Sequence, residues 1–519
     1  MNSIYITTPI YYASGSPHLG HAYTTILVDS FIKYYKMLGY DTKFTTGTDE
    51  HGLKIERISE KNNKKPEELV NELAKKFQNA WGKLEIEYDD FIRTTEDRHK
   101  TVVMDMWNRM EKNGDIYLGK YEGLYCVDCE QYYAEGELLE DNVCPIHNKN
   151  VEVMSEDTYF FKLSKYHDTL TKYIEDNPDF IQPITRKNEV LGFLRCNTLQ
   201  DLSISRTSFK WGIPVPNDDK HIMYVWIDAL TNYISSLGGI DSEDFIQYWS
   251  NTIHFIGKDI LRFHAIYWPC MLLSVGIPLP KAIIVHGWWT ISNKKISKSD
   301  PATKIDPTAL AEDITLDGLR YFLLKELTLG KDGNIDWNHL IASLNSGLAN
   351  NIGNLVNRTV NMINKYLGGE TPIVLMDTIN EFDLEVKNGA FVMVEKAMSY
   401  MDEFNPAGAV NSIIEYGNIL NGYLDKTLPW QLVKYPEQKD RLGEIFAYLI
   451  EGIRWISNLI YPFTPKIATV IKEQVDFEKE FKWVLEFELN KKVILNDGII
   501  VFKRISKDEE KELLEKWEK

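Results

Sequence analysis

Two histidines flank a glycine in His18-Leu19-Gly20-His21, where a β-prone run gives way to a helical pattern. The open N–H groups and the dipole of a helix start favour anions. Gly20 leaves backbone accessible to a flat or charged group. Each imidazole can donate a hydrogen bond to a phosphate oxygen. Two ordinary histidines at a helix cap would look the same, so the motif gains meaning only from partners. One such partner is Lys294-Lys295-Ile296-Ser297-Lys298-Ser299. Its lysines, interleaved with serines, would set point charges and hydroxyls on a polar loop able to close over a polyphosphate. Taken alone, a basic loop is ordinary solvated surface.

A second set of residues has metal-binding chemistry. Cys126-Val127-Asp128-Cys129 and Cys144-Pro145-Ile146-His147 form two C-x-x-C/H pairs separated by 14 residues. Four soft or borderline ligands on two tight turns suit tetrahedral zinc, and with all four positions filled the site would be structural. A redox pair and chance cysteines are the competing readings. Cys196 and Cys270 lie in apolar surroundings and read as core. Asp49 ends a β-prone run, where it could hold a substrate ammonium or cap the next helix.

These residues need elements to position them. Ile4–Thr8 reads as a strand, and a helix from His18 to Gly39 shows Ala22, Ile26, Leu27, Phe31 and Tyr34 on one face. Thr42–Thr48 is a second strand, and Glu67–Gly82 and Arg98–Lys112 are helical in pattern. From Gly114 the texture changes to short strands and turns. Met223–Ala229 then reads as a buried strand returning to the main sheet, with a helix over Leu230–Leu237. Thr252–Ile256 is a further strand, ending on Gly257-Lys258-Asp259 and opening a helix that carries Ile260, His264 and Trp268. Lys281–His286 is another. Doubly wound sheets bind ligands outside the carboxyl ends of their strands, which is where His18, His21 and Asp49 fall.

Beyond Leu340 the pattern is nearly all helical: Leu340–Tyr366, Phe382–Phe404, Ala407–Lys426 and Lys439–Tyr461, lengths for a bundle. Asn354 and Arg358 share a helix face at i, i+4, and Trp430 offers an indole for stacking. A satisfied helix face and a core tryptophan explain them equally well. Lys491–Lys519 reads as a short hairpin-like run and a charged helix.

The expected fold is therefore α/β. A Rossmann-like, doubly wound parallel catalytic domain (1–115 and 223–292) is split by a zinc-knuckle insertion (116–222). A connecting domain with the lysine loop (293–339) and a C-terminal α-helical bundle with a short tail (340–519) follow. A chain of 519 residues is too long for a single core. Its net charge of −18 excludes a wholly basic nucleic-acid binder, so a polyanionic partner must be met by patches. No apolar stretch reaches the roughly 18 residues of a membrane span. No secretory leader is visible, and five cysteines make no disulfide framework, so a cytoplasmic setting is expected.

His18-Leu19-Gly20-His21 and Lys295-Ile296-Ser297-Lys298-Ser299 resemble the HIGH and KMSKS motifs of class I aminoacyl-tRNA synthetases, with Ile for Met at 296. The single knuckle between sheet halves and Val225-Trp226-Ile227-Asp228-Ala229 make the chain similar to the methionyl-tRNA synthetase family, over essentially its whole length.

That resemblance implies ATP-dependent ligation of L-methionine to tRNA(Met), initiator included, through methionyl-adenylate, with release of AMP and pyrophosphate. It implies a methionine pocket at Pro9, Ile10, Tyr12, Asp49, Trp226, Ala229, Leu230, Tyr233, Ile260 and His264, Leu230 standing where some relatives carry Pro. ATP would be bound by His18, Gly20, His21, Gly257, Asp259, Lys295 and Lys298, accompanied by Mg²⁺. His18, His21, Lys295 and Lys298 would be catalytic. Cys126, Cys129, Cys144 and His147 would hold one structural zinc, and Asn354, Arg358 and Trp430 would meet the anticodon. The tail is too short for an appended dimerisation domain, so a monomer is expected. Two alternatives stay open: another class I synthetase, of the cysteine type, and a non-catalytic zinc-stabilised RNA-binding protein.

Overall fold

The structure, a computed structural model, describes residues 2–518 apart from 129–130, 134–137, 147, 292–293, 296–304, 375–378, 476–479, 484–485, 490–491 and 496–497. The chain forms two compact units: residues 1–28, 41–288 and 297–304 in one, and 29–40, 289–296 and 305–519 in the other.

The first unit is built on a seven-stranded sheet. Ser3–Thr7 lies at its centre, parallel to Asp41–Asp49 on one side, with Ile6 opposite Phe44. On its other side runs Thr252–Gly257, also parallel, with Ile6 opposite Ile253. Tyr11–Tyr12 continues beside Asp41–Asp49, Tyr12 opposite Asp49. Asp90–Arg93 pairs with the far side of Asp41–Asp49, and Ala282–His286 followed by Ile181–Gln182 extend the other edge, again parallel. The central strands are buried almost throughout, as both-faced parallel sheets require. The chain leaves Ser3–Thr7 towards Asp41–Asp49 and returns on the opposite side as Thr252–Gly257. Strand order reverses there, and the crevice at those carboxyl ends is the expected ligand position.

The helix Leu19–Met37 follows the first strand as its apolar face requires, and Pro66–Lys83 and Asp97–Lys112 agree closely with the sequence pattern. Met223–Ala229 differs: it is not a strand of the main sheet. Asp218–Met223 pairs antiparallel with Ser205–Arg206 and Pro214–Val215 in a small separate sheet, and Val225–Leu230 is helical. A short apolar run buried on all sides is equally compatible with either state, and periodicity cannot separate them. A further antiparallel sheet joins Gln131–Tyr133, Ile116–Cys126, Glu152–Phe161 and Leu202–Ser203.

The second unit is mainly helical. Trp337–Ser343, Leu344–Gly353 and Asn354–Leu367 run on as one stretch, its middle in widened π-type turns. Glu381–Asp402 and Pro406–Thr427 follow, their starts set by Asn380 and Asn405 side chains accepting backbone N–H groups. Lys439–Ile460 is buried on every face from Ile445 onward, so it is the central helix of the bundle. Lys507–Trp517 forms the expected charged helix. In the described part of the run before it, Ile494 bridges Glu370, and the Thr371 N–H donates to the Val493 carbonyl. None of the described helices is long and apolar enough to cross a membrane.

Candidate active site

At the start of Leu19–Met37 the two imidazoles stack, ring centres 3.7 Å apart. The Gly20 N–H donates to His18 Nδ1 at 3.1 Å, and the His18 N–H donates to His21 Nδ1 at 3.0 Å. Both Nδ1 atoms are acceptors, so in the neutral rings the proton sits on Nε2. Tyr11 lies edge-on to His21 at 4.9 Å, and its hydroxyl donates to the His21 carbonyl. A Cβ at Gly20 would come within 3.0 Å of His18 Cε1, so only glycine leaves that ring in place. The backbone thus aims two N–H donors from one helix start, an arrangement suited to phosphate oxygens.

Thr24, on the same helix, connects to the other side of the crevice. Thr24 Oγ1 lies 2.8 Å from His286 Nε2, and His286 Nδ1 lies 2.7 Å from the Gly287 carbonyl. A carbonyl only accepts, so His286 carries its proton on Nδ1 and accepts a hydrogen bond from the Thr24 hydroxyl at Nε2. Next to His286, a Cβ at Gly257 would sit 2.7 Å from Asp259 Oδ1, so the carboxylate folds over bare backbone. The Trp288 indole N–H donates to that oxygen at 3.1 Å, and Lys258 Nζ stands 4.0 Å from the centre of the Trp288 ring.

Several of the residues expected around a methionine side chain share one core. Tyr12, Trp226 and Ile260 are partly buried against one core, which includes buried Leu230 and Tyr233. Trp226 stacks on Phe263 at 3.7 Å, the rings nearly parallel, and lies edge-on to His264 at 6.2 Å. His264 Nδ1 is 3.0 Å from the Ile260 carbonyl and Nε2 is 2.7 Å from the Tyr233 hydroxyl. Nδ1 therefore donates and Nε2 accepts from Tyr233. Burial, partly offset by the Ile260 carbonyl and Asp259, pushes His264 down to about 4, so it is neutral near pH 7. Burial likewise raises the Tyr233 phenol far above its ordinary value. Ala229 is buried, its carbonyl accepting from Asn232; Pro9 and Ile10 are partly exposed on the loop after the first strand. Asp49 is buried opposite Tyr12, and its carbonyl accepts the Ala13 N–H at 2.8 Å.

Other expected residues are placed only in part. Lys295 lies on the short strand Lys294–Lys295, paired with Trp289–Ile291, and Lys298 lies outside the described residues. Cys126 and Cys144 are buried in one small cluster with Tyr133, whereas Cys129 and His147 lie outside the described residues. Among the described residues no group of three or more His, Cys, Asp or Glu side chains is placed to hold a metal. In the helical unit Asn354 is exposed, and the Arg358 guanidinium lies 5.6 Å from the centre of the Trp430 ring. Leu428, at φ +48°, makes the sharp turn into Pro429-Trp430.

Sequence reasoning missed Phe263, Thr24, His286 and a buried His51–Asp228–His99 cluster. For Asp228 a signal existed: an acidic residue inside the apolar run Val225–Leu230 must find a buried partner.

Comparison with known proteins gives the family. The family model described as "tRNA synthetases class I (M)" matches residues 4–139 and 135–360, which places the chain among the class I tRNA synthetases. The methionine–tRNA ligase of Fusobacterium nucleatum is 45% identical over 481 residues, 92% of this chain and 75% of that protein. That of Caldanaerobacter subterraneus is 42% identical over 519 residues, 99% of this chain and 81% of that one. The Mycobacterium tuberculosis methionyl-tRNA synthetase in complex with methionyl-adenylate superposes with a TM-score of 0.93 at 37% identity, covering 97% of this chain and all of that one. The chain belongs to the methionyl-tRNA synthetase family.

Proposed function

We infer that the protein activates L-methionine with ATP and transfers it to tRNA(Met), initiator tRNA included, releasing AMP and pyrophosphate. The observation that carries this reading is the Trp226–His264–Tyr233 assembly, together with Asp49 buried at a strand end opposite Tyr12. It offers aromatic faces, a neutral imidazole and a buried carboxylate: a slot for a polarisable thioether with an acid for its ammonium.

The reaction is attack of the methionine carboxylate on the α-phosphate of ATP. No covalent enzyme nucleophile is required, so positioning and electrostatic stabilisation supply the rate. Asp49 holds the α-ammonium; Pro9, Ile10, Tyr12, Ala229, Leu230 and Ile260 complete the pocket. His18 and His21 donate from Nε2 to phosphate oxygens as charge shifts towards pyrophosphate, with Gly20 admitting the nucleotide. Gly257 and Asp259 meet the ribose, and Lys295 and Lys298 close on the leaving group. Mg²⁺ accompanies ATP as part of the substrate. Cys126, at the end of the strand Ile116–Cys126, and Cys144 are buried in one cluster and suit thiolate ligation, and with Cys129 and His147 they would hold a structural zinc that cross-links the insertion. Asn354, Arg358 and Trp430 face the anticodon.

Exchange of radiolabelled pyrophosphate into ATP, run across the amino acids, tests the reading. Methionine-dependent exchange is expected. Exchange with cysteine in its place, or none at all, overturns it.

A further inference from the structure

Asp228 is buried among apolar neighbours, and its two oxygens are taken by two histidines from distant parts of the chain. His51 Nδ1 reaches Oδ2 at 2.6 Å and His99 Nε2 reaches Oδ1 at 2.7 Å. A carboxylate only accepts, so both nitrogens carry protons towards it. Burial opposes its ionisation, but the contacts with His51 and His99 outweigh that and hold the carboxyl below its ordinary range.

Each arm of this cluster ends on a different wall of the amino-acid pocket. His51 accepts the Tyr12 hydroxyl at its backbone carbonyl, at 2.8 Å, and follows Asp49 by two residues. Asp228 sits on Val225–Leu230, the helix that carries Trp226 and Ala229. His99 Nδ1 meets Ser235 Oγ at 3.0 Å on Asn232–Ser235, the helix that carries Tyr233. His99 itself belongs to Asp97–Lys112, which contributes no residue to the pocket.

We propose that Asp228 is a positioning residue for the amino-acid pocket: gripped by His51 and His99, it holds the segments bearing Tyr12, Trp226 and Tyr233 at fixed separations. The proposal rests on the functional reading above. A buried carboxylate with two short, directional bonds tolerates little displacement, so loss of either donor loosens walls that are remote in sequence. The braced segments Tyr11–Tyr12, Val225–Leu230 and Asn232–Ser235 carry none of His18, Gly257 and Asp259, so the effect falls on methionine rather than ATP.

The test is methionine-dependent ATP–pyrophosphate exchange by the full chain carrying Asp228→Asn or His99→Leu, with thermal unfolding to establish that each is folded. The KM for methionine is expected to rise about tenfold or more in both, with the KM for ATP within about twofold of wild type. His99→Gln, which keeps an N–H donor, should recover most of the lost affinity. An unchanged methionine KM in folded His99→Leu overturns the proposal, as does an equal rise in both KM values. If both variants unfold, Ser235→Ala, which removes the partner of His99 Nδ1, decides: a rise confined to the methionine KM supports the brace, and no rise overturns it. A wild type without methionine-dependent exchange overturns the functional reading itself.

Discussion

The proposed amino-acid pocket of the sheet unit and the proposed Asn354–Arg358–Trp430 anticodon patch of the helical unit would solve recognition in opposite ways. In the pocket the polar atoms of His264 each have a single short partner, and both His264 and Tyr233 are almost wholly buried. In the patch Arg358 lies over an indole and reaches Asp425 only at 3.5 Å, with the Asp425 side chain 67% exposed. Low dielectric makes the first arrangement stiff, because any buried polar atom that loses its partner is costly. Water makes the second exchangeable, since a solvated ion pair contributes little and can be displaced. A rigid slot suits a small thioether; a wet aromatic patch suits the stacked bases of a larger partner.

The comparison can be broken most strongly at the phosphate end of the sheet unit. His18→Ala and His21→Ala are each expected to slow pyrophosphate exchange about 10²–10³-fold, chiefly in kcat; retained kcat in either would remove that histidine from the phosphates. Next in size is acid sensitivity. His264 is depressed to about 4 in the folded protein, against an unfolded value near 6.5. Its contribution is therefore fully present above about pH 6.5 and is lost as pH falls towards about 4, up to about 3 kcal/mol. Denaturant titrations at about pH 7 and about pH 5 should show a larger loss for wild type than for His264→Gln, and equal losses would contradict the assignment.

Trp430→Ala should weaken tRNA charging by about 1–3 kcal/mol while leaving exchange within about twofold. Equal losses in both assays would place Trp430 in the core rather than at the anticodon. Tyr233→Phe removes the donor to His264 Nε2 and should raise the KM for methionine about tenfold, or about 1.4 kcal/mol. An unaltered KM would show that the hydroxyl contributes only packing. The smallest effect sharpens the contrast: Asp425→Ala should change the KM for tRNA by no more than about 0.5 kcal/mol in either direction. A large change would mean that the pair is as rigid as the pocket.

Much of this molecule is legible in its sequence. His18-Leu19-Gly20-His21 announces a helix start after a strand because glycine, histidine and the apolar period are local signals. The strands Ser3–Thr7, Asp41–Asp49, Thr252–Gly257 and Ala282–His286 and the long C-terminal helices follow from the same patterning. Val225–Leu230 does not, since an apolar run of that length suits a buried strand or a buried helix alike.

What the sequence by itself determined is the chemistry available: two histidines at a helix start, a carboxylate at a strand end, aromatic residues within apolar runs, and paired cysteines. What only the tertiary structure decided is who faces whom. His51, Asp228 and His99 are separated by 129 and 177 positions, and Thr24 and His286 by 262. Such pairs are set by the parallel register of the sheet and by the need of each buried polar atom for a partner, neither of which leaves a local pattern.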